Sequence, residues 1–138
     1  MTTTSERHST SQRRQRPAWL WVLFICDAGL LIASGLIHLH LWDIAYRHVK
    51  TLDQLFLVQV IAAILLAVVL LVTRHLLAVV ASLLLMAGTV VGFILADTVG
   101  IFGFKLPYVT HLADTVLVIE IVAIVTLAAT GWVLRRLR

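Results

Sequence analysis

The sequence predicts an all-α, membrane-embedded four-helix bundle, antiparallel and up-down, with both termini in the cytoplasm. Three observations predict it. Of the 138 residues, 61% are hydrophobic and 13% charged, with a mean hydropathy of +1.02; a soluble globular domain has an apolar share of about one half. The apolar residues fall into four runs, at about 19–42, 53–72, 76–96 and 112–134. Each is long enough for a hydrocarbon core of about 30 Å, which takes roughly 20 residues at about 1.5 Å rise. The basic residues are divided unevenly between the run ends. Arg7, Arg13, Arg14, Arg16, Arg74, Arg135, Arg136 and Arg138 lie on one side, and Arg47, Lys50 and Lys105 on the other. The excess of Arg and Lys marks the cytoplasmic side and a plasma-membrane setting. The net charge of +4 is accounted for by anionic lipid; no nucleic-acid module is visible.

Residues 1–16 are Thr, Ser, Gln and Arg with almost nothing apolar, which predicts a disordered basic cytoplasmic tail before a membrane domain over 17–138. The first apolar run is much longer than the apolar part of a signal peptide and reads as an uncleaved anchor helix. Pro17 suits a first helical turn, where its missing N–H costs nothing. Thr73-Arg74-His75 alone separates the second and third runs, so these form a tight antiparallel hairpin. The 43–52 and 97–111 loops then both face outward. Pro107 falls in the second loop, and Gly100-Ile101-Phe102-Gly103-Phe104-Lys105 reads as an interfacial turn. Trp19, Trp21, Trp42, Tyr46, Tyr108 and Trp132 fall near the interfaces that amphipathic rings prefer.

The polar residues are concentrated between Ser34 and Gln59, and two carboxyls lie where lipid is expected. Asp27 is about 12 Å into the first helix, and Glu120 a similar distance into the fourth from the opposite side, so their depths nearly coincide on this reading. An ionised carboxylate at such depth costs several kcal/mol, which calls for protonation, pairing or water. Helical geometry of about 100° per residue puts Ser34 and His38 within about 20° of Asp27, on one polar stripe. The functional reading is a proton relay or ligand counter-group; the plainer one is a carboxyl bonded to a hydroxyl or a backbone carbonyl. His40 points to nearly the opposite side from His38, so His-x-His cannot clamp one metal ion in a helix. His38, His40, His48, His111 and Asp114, with Asp43, Asp53 and Asp97, are the candidates for a metal or haem site, through the affinity of imidazole and carboxylate for Zn, Cu or Fe. Solvation or helix capping is the plainer role for these residues. The sequence requires no cofactor. Gly88-x-x-x-Gly92, extended to Ala96, reads as a ridge for close helix packing against the same chain, a second copy or another membrane protein, and Gln59 as an interhelical hydrogen-bonding group. The single Cys26 excludes an intramolecular disulfide.

Ile37-His38-Leu39, Tyr46-Arg47, Thr51-Leu52 and Leu55-Phe56-Leu57-Val58-Gln59 together resemble the first half of the uncharacterised small four-helix integral membrane proteins of actinobacteria. The pattern there reads IHLxLYxxGYRxIPTIGxLFLLQ. Gly100-Ile101-Phe102-Gly103-Phe104-Lys105 is similar to the GLFGF and basic residue of the second half, and Glu120 to a glutamate of the last helix. The chain departs from the pattern at His40, Trp42, Ala45, Lys50 and Asp53, losing the loop's proline and glycine. The resemblance implies the four-helix topology and singles out His38, Tyr46, Arg47, Gln59 and Glu120; it implies no reaction.

Three readings of function follow. The chain is a non-catalytic or accessory membrane component, as its size and small-residue ridge favour. Alternatively, the Asp27, Ser34 and His38 stripe with the outer histidines binds haem, a metal or a quinone-like ligand. The third is a small proton-coupled exporter using Asp27, by architectural analogy alone. Neither G-x-S-x-G nor H-E-x-x-H occurs, so the common hydrolase signatures are missing.

Overall fold

The computed structural model describes residues 18–48, 51–100 and 111–137. The N-terminal tail, Pro17, Lys50 and the 101–110 segment with its expected interfacial turn lie outside them. Helix α1 spans Ala18–Leu41, α2 Leu52–Thr73, α3 Leu76–Thr98 and α4 His111–Arg136. All four are long and apolar enough to cross a membrane, within two residues of the predicted bounds at every end. One difference is at the end of α1, where the expected loop begins as a π-helical turn, Trp42–Tyr46. No Gly or Pro lies between residues 36 and 52 to stop the helix, so it widens and continues.

The helices form a ring in which α1 packs on α2 and α4, α3 packs on α4, and the α2–α3 seam is the thinnest. Buried positions on α1 recur at alternating steps of three and four: Leu20, Phe24, Asp27, Leu31, Ser34, His38 and Leu41. That spacing lays one stripe along the helix toward its neighbours. The opposite faces, such as Val22, Ile25, Ile61, Leu65, Val118 and Val125, are exposed. An apolar outer face brings no hydrophobic driving force inside lipid, so close packing and interhelical hydrogen bonds must hold the ring.

The close packing uses different glycines from those the sequence suggested. A Cβ at Gly35 would stand 3.4 Å from the Ala63 methyl and 3.7 Å from the Val60 carbonyl oxygen, and one at Gly131 would stand 3.5 Å from Val79. Gly35 thus lets α1 meet α2, and Gly131 lets α4 meet α3. Gly88 and Gly92 meet nothing within 4 Å, so the predicted ridge packs against no helix of its own chain among the described residues.

The two ends of the bundle differ in closure. Arg74 adopts the left-handed conformation and donates its N–H to the Leu70 carbonyl, ending α2, while the His75 ring accepts from the Leu77 N–H, starting α3. The Arg74 guanidinium lies 4.1 Å over the Trp21 ring, tying this hairpin to the first turn of α1. Phe24, Leu31, Ala67, Leu70, Val79, Met86, Ala123 and Leu127 fill the adjoining half. All buried residues of α3 lie in its first half, from Ala78 to Met86. Beyond Met86, α3 leaves the core and the seam with α2 opens. Thr51, at the start of α2, has φ 74°, a strained value for a β-branched residue.

Candidate functional site

The polar stripe of α1 meets α4 at two levels. At the hairpin end, the Thr130 hydroxyl donates to Asp27 Oδ2 at 2.6 Å; both side chains are fully buried. Asp27 Oδ1 has no partner among the described residues. Nearer the 42–46 turn, the Ser34 hydroxyl donates to Glu120 Oε1 at 3.3 Å, and His38 Nε2 stands 3.7 Å from the same oxygen. Asp27 and Glu120 therefore sit at different levels, against the expectation that their depths coincide. In antiparallel helices Asp27 faces Thr130 and Ser34 faces Glu120, about two turns further along.

The hydrogen bonds fix the histidine tautomer. His38 Nδ1 stands 2.9 Å from the Ser34 carbonyl oxygen, which can only accept, so Nδ1 carries the proton. In the neutral ring the Nε2 lone pair then faces Glu120. One proton shared across that gap gives either a carboxylic acid beside an imidazole or a carboxylate beside an imidazolium. Both states are neutral overall, and loss of that proton to a third group would leave the pair with a net negative charge.

Glu120 and His38 form the polar end of a cavity of about 330 Å³ that all four helices line. Leu55, Phe56, Val58 and Gln59 come from α2 and Gly88, Thr89, Gly92, Phe93 and Ala96 from the open half of α3; Tyr46 lies at the rim. Tyr46 stacks on Phe56 with ring centroids 4.6 Å apart, and Phe56 lies 5.4 Å from the His38 ring. Gln59 is 6% exposed, and its Nε2 has no hydrogen-bond partner among the described residues. The expected interhelical bond from this nitrogen is not made among the described residues, and Gln59 lines the cavity. The predicted packing ridge, Gly88, Gly92 and Ala96, is also cavity wall, and its missing side chains supply part of the space.

The remaining candidates separate. Arg47 pairs with Asp43 at 3.6 Å and lies 5.6 Å over the Trp42 ring, on the surface and off the cavity. His40, His48, His111 and Asp114 are exposed, and no group of three or more His, Cys, Asp or Glu side chains among the described residues could hold a metal ion. The His38 and His40 rings diverge, as helix geometry demands. Asp27 does not line the cavity, so the exporter reading finds its proposed carboxyl away from this space. Thr130, Phe56 and Phe93 were missed by sequence reasoning. A hydroxyl inside an apolar helix is a signal that could have found Thr130; an apolar run offers none for one Phe among many Leu.

No known protein family, curated protein or solved structure matches the chain.

Proposed function

We propose that this chain is a small multi-pass protein of the plasma membrane, termini in the cytoplasm, that holds one small lipophilic molecule between its helices. It is a binding component of the membrane rather than a hydrolytic enzyme. The observation that carries the reading is the cavity: about 330 Å³, within the usual ligand range, lined by apolar residues except for His38, Tyr46, Gln59, Thr89 and Glu120. Such a wall selects an apolar body and fixes one polar end. The orientation rests on the excess of arginine at the termini and the 73–75 turn, and it places the cavity in the outward half. Of the residues that the likeness to the actinobacterial four-helix proteins singles out, His38, Tyr46, Gln59 and Glu120 line the cavity and Arg47 does not. Haem and metal are disfavoured because His38 is the only histidine on the described wall, and its Nε2 faces Glu120.

Native mass spectrometry of the protein released from its own membrane tests the reading. One small lipophilic molecule per chain is expected, lost on Gly92→Leu, which grows a side chain into space that is empty around the glycine. A chain that is empty as isolated, and whose thermal stability no lipophilic compound raises, would overturn it. Labelling of His48→Cys in a Cys26→Ala background, expected from outside the cell only, tests the orientation.

A further inference from the structure

We propose that the occupant is a lipid-soluble quinone: a flat, uncharged ring bearing carbonyl oxygens on an apolar tail. This rests on the cavity being a ligand site, as proposed above, and adds the chemical class.

The first argument is the unmade hydrogen bond. Gln59 lines the cavity and its Nε2 is a buried donor without a partner among the described residues; a buried donor left unpaired is costly. The occupant that offsets this carries an acceptor oxygen. A fully apolar occupant, such as an acyl chain, does not.

Charge gives the second argument. The titratable groups on the described wall are His38 from α1, Tyr46 from the π turn and Glu120 from α4; α2 and α3 contribute Gln59 and Thr89, and no Lys or Arg among the described residues lines the space. His38 and Glu120 compensate each other across 3.7 Å. A lipophilic cation would have to displace the imidazole from the carboxyl, and an anion would meet no free positive charge. An uncharged molecule fits without disturbing the pair.

Shape supplies the third. Phe56, stacked with Tyr46 at 4.6 Å, and Phe93 give the head region flat aromatic walls. Leu55 and Val58 line the cavity yet are 47% and 61% exposed on the bundle surface. The space therefore continues between α2 and α3 to the outer face, past Gly88 and Gly92, which have no side chain to close it. A ring sits inside and its tail leaves through this seam into lipid.

The test uses the full chain in nanodiscs and two probes that share a tail, decylubiquinone and decylbenzene, read by equilibrium dialysis. The quinone is expected to bind about tenfold or more tightly than decylbenzene, and Gln59→Leu to weaken it by about ten- to a hundredfold while leaving decylbenzene unchanged. Gly92→Leu should abolish binding of both while the chain stays folded by thermal unfolding. Should Gln59→Leu not fold, the ratio between the two probes in the unaltered chain decides. Equal affinities, insensitive to Gln59→Leu, would overturn the quinone assignment and leave the ligand site standing, as would preferential binding of tetraphenylphosphonium. Failure of every probe to bind would remove the ligand site itself.

Discussion

The two halves of this bundle bury the same kind of group, a carboxyl between α1 and α4, and surround it differently. In the half closed by the Arg74 turn, which Phe24, Leu31 and Leu127 help to fill, Asp27 is bonded to Thr130 and fully buried. In the other half, Glu120 is bonded to Ser34 but stands at the edge of a cavity. The first arrangement satisfies a polar group in an apolar setting and leaves no room for anything else. The second leaves one side of the carboxyl and its histidine free to meet a ligand. A buried acid in a membrane helix is thus ambiguous by itself, and the space beside it decides between structure and function.

Core aromatics give the largest expected contrast. Phe24 is fully buried, so Phe24→Ala leaves a closed void and should cost about 3–5 kcal/mol, measured by reversible unfolding in detergent. Phe56 already faces open space, and Phe56→Ala enlarges a cavity that exists. It should cost roughly half as much in stability or less, while removing the ring on which Tyr46 stacks and weakening the ligand. Equal losses from the two substitutions would mean that the second half is packed as tightly as the first.

The glycines give the next contrast. At Gly35 a Cβ already meets Ala63 at 3.4 Å and backbone at 3.7 Å, so Gly35→Leu must push α1 from α2, at about 1–3 kcal/mol. At Gly92 the same change meets open space and replaces a poor helix former, which is worth up to about 1 kcal/mol in the opposite direction. Thermal unfolding of the pair should therefore shift with opposite sign. Two losses of similar size would show that Gly92 packs against a neighbour after all.

These contrasts show how much was legible in the sequence. Helix number, bounds and the hairpin could be read because lipid forces every backbone amide into a helix, so run length translates directly into structure. The Asp27, Ser34 and His38 stripe could be read too, being arithmetic within one helix. What could not be read was how helices meet. Gly35, with no second glycine four residues away, is the close contact, while the conspicuous Gly88 and Gly92 are not. Periodicity within α3 carries no information on whether α2 stays beside it. The levels of Asp27 and Glu120 failed for the same reason: depth counted from run ends assumes that helices begin level, and α4 slides along α1 to bring Thr130 opposite Asp27. Gln59 was singled out as an interhelical hydrogen-bonding group, and that its Nε2 has no partner among the described residues depends on how the helices meet.

The carboxyls themselves give, at Glu120, the smallest expected change in stability and the sharpest change in behaviour. Glu120→Gln keeps an oxygen for Ser34 while its amide can donate to His38 Nε2, and should cost about 1 kcal/mol or less. Asp27→Asn keeps an oxygen for the Thr130 hydroxyl but puts an amide nitrogen where Oδ1 has no partner among the described residues, at about 1–3 kcal/mol. The two variants differ in the proton. Glu120→Gln removes the acid whose Oε1 stands 3.7 Å from His38 Nε2, leaving no carboxyl beside the imidazole to take up or release a proton. Ligand affinity that varies with pH in the unaltered chain should become flatter in this variant. Asp27 is fully buried and off the cavity wall, so Asp27→Asn should keep the full pH profile. Affinities measured across pH for the three chains check this. A profile flattened by Asp27→Asn instead would join the two carboxyls into one proton path through the bundle, with Ser34 as the group between them.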